Sequence, residues 1–250
     1  MSFKVVILAG GKGTRIKSVL GNIPKILAPI NKKAFLDYLI SWIKSWKICL
    51  EKDIILSTGI GHNEVKNYCD KYGYQIKCVE EKKLLGTFGA IVNVARKNFA
   101  NHYLIMNGDT IFKANLKEIS TIYFSSKEDI PLIILKRNSI DKELNRYGGY
   151  IETNGGWIYT TEKSDFISLG AFFISYENLK KRWMKITSQN LDDFTLDSNI
   201  KEGFSIDKDC FGREAIKAIN LGNNIPFIDI GIPRDLKRGQ DLIPEILGDI

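Results

Sequence analysis

Four charged residues stand where they could act on phosphate groups. Asp109 and Asp229 each follow a short apolar run that predicts a buried strand. Open α/β sheets bind ligands beyond the carboxyl ends of their strands, so these two acids could share a divalent ion, and carboxylate oxygens suit magnesium. Arg15 and Lys25 add two cations that could balance phosphate oxygens nearby. Asp109 taken alone could instead be a capping residue.

A glycine-rich stretch near the N-terminus could hold the phosphates themselves. The apolar run 5–9 predicts a buried parallel strand, and the three glycines within 10–13 predict a tight loop after it. Glycine has no Cβ, so backbone N–H groups in such a loop can approach an anion closely. Thr14 and Arg15 then add a hydroxyl and a planar charged group. An ordinary glycine-rich turn is the alternative interpretation.

Two common phosphate-binding loops do not fit this stretch. A Walker loop requires Ser or Thr after Gly-Lys, but Gly13 follows Lys12. A dinucleotide fingerprint requires a third small residue where Ile16 stands, which argues against an NAD-binding oxidoreductase.

Composition sets broad limits. The 250 residues, 44% hydrophobic and 26% charged, fit one large α/β domain. No apolar run approaches the roughly 18 residues of a membrane span, and no signal peptide is recognised, so a cytoplasmic location is expected. The four cysteines show no metal-ligand spacing. The net charge of +7 suits phosphate-rich ligands or nucleic acid, but scattered lysines make nucleic acid an unlikely partner.

The order of predicted elements supplies a scaffold for these residues. Strands and helices alternate up to residue 79, which predicts a right-handed parallel sheet. Thr87 is predicted to cap a helix through residue 95, with small residues that let a ligand approach the helix start. After residue 125, short strands predict a mixed sheet, and residues 207–218 are predicted to form a helix.

The motifs resemble the sugar-1-phosphate nucleotidyltransferases over nearly the whole chain, and most of all the D-glycero-D-manno-heptose 1-phosphate guanylyltransferases. The matching segments are 8–15, Pro24-Lys25, 85–87, Asn107-Gly108-Asp109, 146–148, Glu162-Lys163, 204–209 and 227–231. This resemblance implies a Rossmann-like, mixed and mainly parallel sheet flanked by helices, of the nucleotide-diphospho-sugar transferase type. One domain over 1–250 is expected, with a nucleotide-binding part at 1–125 and a sugar-binding part with a C-terminal helix at 126–250.

The resemblance also implies roles for individual residues. Arg15, Lys25, Asp109 and Asp229 would be catalytic, and the two acids would hold Mg²⁺. The nucleotide would be bound by Leu8, Ala9, Gly10, Gly11, Gly13, Thr14, Glu81, Gly86, Thr87, Asn107 and Gly108. The sugar phosphate would be bound by Tyr147, Gly148, Glu162, Lys163 and Gly170.

One carboxylate sets the expected preference for the base. A carboxylate at Glu81 could accept hydrogen bonds from N1 and N2 of guanine, or from N4 of cytosine, so GTP is favoured and CTP is second.

Two departures from the family pattern affect specificity. Lys83-Leu84 replace the usual acidic residue and proline before Leu-Gly-Thr. Ser168-Leu169-Gly170 replace the usual Asn-Gly-Gly, so Leu169 would reshape the sugar pocket and the sugar need not be a heptose.

The expected reaction joins a nucleoside triphosphate to a sugar-1-phosphate and releases pyrophosphate, with Mg²⁺ as cofactor, for surface glycan synthesis. A phosphate nucleophile has a second pKa of about 6, so no protein base is needed. The obstacle is charge repulsion, on the order of 4 kcal/mol per pair of unit charges at ~4 Å and an effective dielectric of ~20. The alternatives are a cytidylyltransferase acting on another phosphorylated acceptor and a catalytically silent nucleotide-binding relative. No nucleic-acid or membrane partner is expected, and a homodimer is one option.

Overall fold

The computed structural model describes residues 2–137, 149–193, 203–212 and 214–248. The strands in these ranges are β1 (Phe3–Ala9), β2 (Pro29–Ile30), β3 (Lys33–Ala34), β4 (Ile54–Thr58), β5 (Lys77–Glu80), β6 (His102–Asn107), β7 (Thr110–Phe112), β8 (Leu132–Arg137), β9 (Gly149–Thr153), β10 (Gly156–Thr160), β11 (Phe166–Ser175), β12 (Lys217–Asn220) and β13 (Phe227–Asp229). The α-helices are α1 (Lys17–Leu20), α2 (Phe35–Ser45), α3 (His62–Lys71), α4 (Gly86–Lys97), α5 (Leu116–Ser125), α6 (Tyr176–Thr187) and α7 (Pro233–Leu247). A π-helix spans Ile206–Phe211.

The main sheet has a parallel centre and an antiparallel flank. Its hydrogen-bonded path runs β10-β9-β11-β6-β1-β4-β5, and β8 and β12 extend it beside β11. Strand β1 is parallel to both β4 and β6, whereas β11 is antiparallel to β6. Helices cover both faces, so the predicted Rossmann-like mixed sheet is confirmed.

Alternating side chains of β1 supply two cores, one on each face of the sheet. Val5 and Ile7 belong to a core that includes the apolar faces of α2 and α7. Val6 belongs to a second core, built with residues of α4 and α6. All three side chains are fully buried, as expected for a central parallel strand covered on both sides.

The carboxyl edge of the sheet brings distant residues together. Strand β6 ends at Asn107, and a turn at Gly108 and Asp109 leads into β7. Strand β7 pairs antiparallel with β13, so Thr110 lies opposite Asp229. The Ile230 N–H group also donates to the carbonyl of Asp109, at 2.9 Å. The two acids, separated by 120 positions in the chain, therefore meet at one edge.

Two local predictions are wrong. The expected helix over 207–218 is the π-helix Ile206–Phe211, ended by Gly212 at φ +53°, followed by strand β12. Strand β12 pairs with β8, and this long-range pairing outweighs local helical periodicity. Thr87 does not cap α4, which begins at Gly86; its hydroxyl oxygen instead accepts a 2.8 Å hydrogen bond from the Ile206 N–H group.

The predicted C-terminal helix is present as α7. Its apolar side chains at Leu236, Ile243 and Ile246 are buried in the core shared with α2. Within the described ranges, no helix combines the length and apolar character needed to cross a bilayer.

Candidate active site

A cleft of about 360 Å³ opens at the carboxyl edge, between the glycine loop and the start of α4. Seven of the predicted nucleotide-binding residues line it: Leu8, Gly10, Gly11, Glu81, Gly86, Thr87 and Asn107. Asp109 also lines it, as does Ala90, one of the small residues predicted to let a ligand approach the helix start. Three further lining residues had no predicted nucleotide role: Ser57, Leu84 and Gly203. Ser57 could have been recognised from the sequence as a candidate lining residue, because it is a polar residue at the end of an apolar strand. The predicted residues Ala9, Gly13, Thr14 and Gly108 do not line the cleft.

In the glycine loop, Gly10 is closely surrounded by other atoms, whereas Gly11 borders open space. A Cβ added at Gly10 would lie 2.9 Å from Oε2 of Glu81 and 3.3 Å from the Gly59 nitrogen. A Cβ added at Gly11 would have no heavy atom within 4 Å. Beyond the loop, Thr14 and Arg15 form an exposed 3₁₀ turn. Arg15 lines neither this cleft nor the smaller pocket beside it, so its predicted catalytic role stays a prediction.

Glu81 presents a fixed carboxylate to the cleft. Its backbone N–H group donates to the Thr58 carbonyl at 2.7 Å, which continues the β4–β5 pairing by one residue. Its Oε1 accepts from the Leu85 N–H group at 2.5 Å, while Oε2 faces Gly10. Burial raises the pKa of Glu81, and the hydrogen bond from Leu85 opposes this effect. The cleft therefore holds a positioned acceptor at one end.

The start of α4 is occupied by protein rather than open to an anion. Phe88 donates its N–H group to the Phe204 carbonyl at 2.9 Å, and the Phe204 N–H group donates to Leu85 at 3.0 Å. A Cβ on Gly86 would lie 2.4 Å from the Phe204 carbonyl oxygen. Gly86 thus allows the segment beginning at Gly203 to pack against the helix start.

Lys25 and the two acids meet beside the cleft. The Lys25 ammonium donates to Oδ2 of Asp109 at 2.7 Å, and the Thr110 hydroxyl donates to Oδ1 of the same carboxylate at 3.0 Å. Oδ1 of Asp229 accepts from the Gly231 N–H group at 2.6 Å. A Cβ on Gly231 would lie 2.7 Å from Oδ1 of Asp229 and 3.5 Å from Lys25 Nζ. Three of the four predicted catalytic residues therefore form one cluster.

The donor set of this cluster fits a hard divalent cation. Among the described residues, no group of three or more His, Cys, Asp or Glu side chains could form a closed metal cage. Magnesium usually keeps several waters and takes one or two carboxylates together with substrate phosphates. Asp109 and Asp229 offer that number of carboxylates beside a cleft with room for a ligand.

A smaller pocket of about 130 Å³ adjoins the cleft, and Thr87 and Asn107 line both. Its other walls include the hydroxyl residues Thr110 and Ser168, the carboxylate residue Asp207 and the aromatic residues Phe172 and Phe227, together with Leu169, Gly170 and Ile206. Gly170 is at φ +70°, and a Cβ there would lie 2.4 Å from Nδ2 of Asn107. Leu169 is almost fully buried, so it adds to the wall without filling the pocket.

Two other predicted sugar-binding residues, Glu162 and Lys163, lie away from both pockets. Both are exposed in the turn between β10 and β11. Tyr147 and Gly148 lie outside the described residues. The roles of these four residues stay predictions.

Comparison with known proteins gives the family. The nucleotidyl transferase family pattern matches residues 4–166. D-glycero-alpha-D-manno-heptose 1-phosphate guanylyltransferase of Aneurinibacillus thermoaerophilus is 31% identical over 244 residues, covering 95% of this chain and 96% of that enzyme. The enzyme of the same name from Campylobacter jejuni is 31% identical over 237 residues, covering 93% and 96%. The crystal structure of HddC from Yersinia pseudotuberculosis complexed with GMP-PN has a TM-score of 0.69 and 26% identity, covering 96% of this chain and 98% of HddC.

The fold and the related enzymes define an α/β transferase with a cleft at the carboxyl edge of its sheet. This chain belongs to the nucleotidyl transferase family. The resemblance to sugar-1-phosphate nucleotidyltransferases and the expectation of an enzyme are both confirmed.

Proposed function

We propose that this enzyme transfers a guanylyl group from GTP to a sugar-1-phosphate and releases pyrophosphate. The observation that carries the proposal is the contact between the two pockets. Asp109 lines the larger pocket and Thr110 lines the smaller one, while Thr87 and Asn107 line both. Two ligands bound side by side would therefore meet next to Lys25 and the paired acids. The sequence identity to two guanylyltransferases supports GTP and a heptose or hexose 1-phosphate.

The larger cleft is proposed to hold the nucleotide. The Glu81 carboxylate would accept hydrogen bonds from N1 and N2 of guanine, and the loop at Gly10 and Gly11 would lie beside the phosphates. Residues 1–125 would supply most of this part, with Gly203 contributed by the second part.

The chemistry proposed for the junction is an in-line displacement. A phosphate oxygen of the acceptor forms a bond to the α-phosphorus of GTP, and the bond from that phosphorus to the oxygen bridging to the β-phosphate breaks. Pyrophosphate leaves with that electron pair. Lys25 would stabilise negative charge on the phosphates, and the acids would orient the metal. Mg²⁺ bound by Asp109 and Asp229 would supply charge neutralisation at the phosphate oxygens.

A pyrophosphate-release screen tests the proposal. Four nucleoside triphosphates are each combined with D-glycero-D-manno-heptose 1-phosphate, mannose 1-phosphate and glucose 1-phosphate, with Mg²⁺ or with EDTA. We expect the fastest release with GTP and a heptose or mannose phosphate, and none with EDTA. Preference for CTP would favour the cytidylyltransferase alternative. Nucleotide binding without release for any acceptor would favour a catalytically silent relative.

The biological setting is part of the same proposal. A nucleotide sugar made from GTP would be consumed in surface glycan synthesis, and use of a nucleoside triphosphate favours the cytoplasm. A homodimer remains a prediction, which sedimentation of the purified chain would test.

A further inference from the structure

We propose that Asp207 is a specificity-determining residue of the acceptor pocket, where its carboxylate accepts a hydrogen bond from a ring hydroxyl of the sugar. This inference rests on the proposed function and assigns a role to a motif, residues 204–209, that the sequence matched without interpreting. Asp207 supplies the carboxylate in the wall of the 130 Å³ pocket.

One oxygen of this carboxylate is held in place by a buried tyrosine. The Tyr150 hydroxyl donates to Oδ1 of Asp207, and Tyr150 itself is fully buried with its ring edge against Tyr159. Among the described residues, Tyr150 is the one side chain that hydrogen-bonds to Asp207, and no lysine or arginine forms an ion pair with it. The carboxylate is thus oriented, and Oδ2 keeps acceptor capacity for a ligand.

The backbone that carries Asp207 is tied to the nucleotide side of the site. The adjacent residue Ile206 donates its N–H group to Thr87, whose side chain lies between the two pockets. Phe204 is hydrogen-bonded in both directions to the first turn of α4. This attachment fixes the distance between Asp207 and the nucleotide cleft, as selection of one acceptor hydroxyl requires.

The other walls of the pocket suit a sugar. The Thr110 hydroxyl donates to Asp109, and its oxygen can still accept. The Ser168 hydroxyl accepts from the Gly170 N–H group and can still donate. Phe172 and Phe227 offer apolar rings to the C–H groups of a sugar ring. Burial raises the pKa of Asp207, as expected for a carboxylate that is removed from water and has no cation beside it. A sugar hydroxyl would add a further donor to those from Tyr150 and from the backbone N–H group of Asp207 itself, and hydrogen bonds to a charged acceptor are stronger than those between neutral groups.

Steady-state kinetics with deoxy acceptors tests this assignment. Wild-type enzyme is assayed with GTP and with D-glycero-D-manno-heptose 1-phosphate, mannose 1-phosphate or the monodeoxy analogues of mannose 1-phosphate. The Asp207→Asn variant should raise the KM for the acceptor roughly 10- to 100-fold, as expected for loss of one charge-assisted hydrogen bond, with the KM for GTP changed less than about 2-fold. One deoxy analogue should show the same loss with wild-type enzyme and no further loss with Asp207→Asn.

Asp209→Asn is the matched control. Asp209 lies on the same π-helix, accepts from the Ser205 N–H group at 2.6 Å and is not part of the pocket wall. Its variant should keep acceptor KM values within about 3-fold of wild type and respond to every deoxy analogue as wild type does. If each deoxy analogue loses the same factor in wild type and in Asp207→Asn, the inference is wrong while the proposed function stands. If wild type releases no pyrophosphate with any acceptor, both fail.

Discussion

The proposed nucleotide cleft and the proposed acceptor pocket differ in the residues that line them. The cleft, at about 360 Å³, is lined in part by the glycines Gly10, Gly11, Gly86 and Gly203, and it carries two carboxylates, Glu81 and Asp109. The pocket, at about 130 Å³, is lined by residues from five separate segments of the chain, and most of them carry a side chain larger than glycine. A wall of backbone atoms suits a group that is the same in every reaction, such as a triphosphate. A wall of side chains can be altered by substitution to suit different acceptors. Thr87 and Asn107 line both regions, so we expect substitutions at the junction to affect both, and substitutions farther away to affect one region alone.

Replacing either acid at the junction should have the largest effect, because both regions depend on it. Asp109→Asn and Asp229→Asn should each lower kcat by about 10³-fold or more, since each removes a charged ligand from the proposed metal. Pyrophosphate release measures the loss, and far-ultraviolet circular dichroism checks that the fold is intact. Activity near that of wild type in either folded variant would exclude the metal assignment.

These two acids also show how far the sequence alone could lead. The place of Asp109 could be predicted, because it closely follows an apolar parallel strand whose carboxyl end lies at the ligand-binding edge of the sheet. Asp229 ends β13, which pairs with β7 in a separate two-stranded antiparallel sheet, so its position beside Asp109 depends on that long-range pairing. The contact of Lys25 with Asp109 is not encoded in a local pattern, since 84 positions separate them. No role was assigned to Asp207 from the sequence, because residues 207–218 have helical periodicity and were expected to form a helix. Their actual form depends on pairing of β12 with β8, which no local pattern specifies.

Substitution of Lys25 should have the second largest effect on activity, and this effect should fall mainly on the chemical step rather than on nucleotide binding. Lys25→Met removes the donor that lies 2.7 Å from Asp109, and kcat should fall by about 10²-fold with a smaller change in nucleotide affinity. Rapid-quench measurement of a single turnover separates chemistry from product release. Lys17→Met is the control, because Lys17 is exposed on α1, near the glycine loop, and lines neither pocket. An equal loss in both variants would indicate a general effect of charge.

Glu81 should affect selection of the base and its dependence on pH. Glu81→Gln should weaken GTP binding by about 10-fold and reduce discrimination between GTP and inosine triphosphate, which lacks the N2 amino group. Burial raises the pKa of Glu81, so as the pH falls the carboxylate of wild type is protonated earlier than an exposed glutamate. The protonated group accepts less well, so the Kd for GTP should rise over that range.

Calorimetry of GTP binding at several pH values tests the role of Glu81. The Glu81→Gln variant supplies the reference, since titration of GTP itself is common to both proteins. Identical pH profiles for wild type and Glu81→Gln would remove Glu81 from the base site.

Substitutions in the glycine loop should have the smallest effects, and the two variants distinguish an effect on folding from an effect on nucleotide binding. Gly10→Ala places a Cβ 2.9 Å from Oε2 of Glu81, so it should lower the free energy of unfolding by about 1–3 kcal/mol. Gly11→Ala meets no atom within 4 Å and should change that free energy by less than about 0.5 kcal/mol. If the loop approaches the phosphates of GTP, the added methyl group at residue 11 should still raise the Kd for GTP by about 5-fold or more, because it keeps the backbone from the anion. Urea denaturation and GTP titration of both variants measure the two effects separately. A Gly11→Ala variant that binds GTP as tightly as wild type would place the phosphates away from this loop, and the proposed link between a glycine-lined cleft and the triphosphate would be lost.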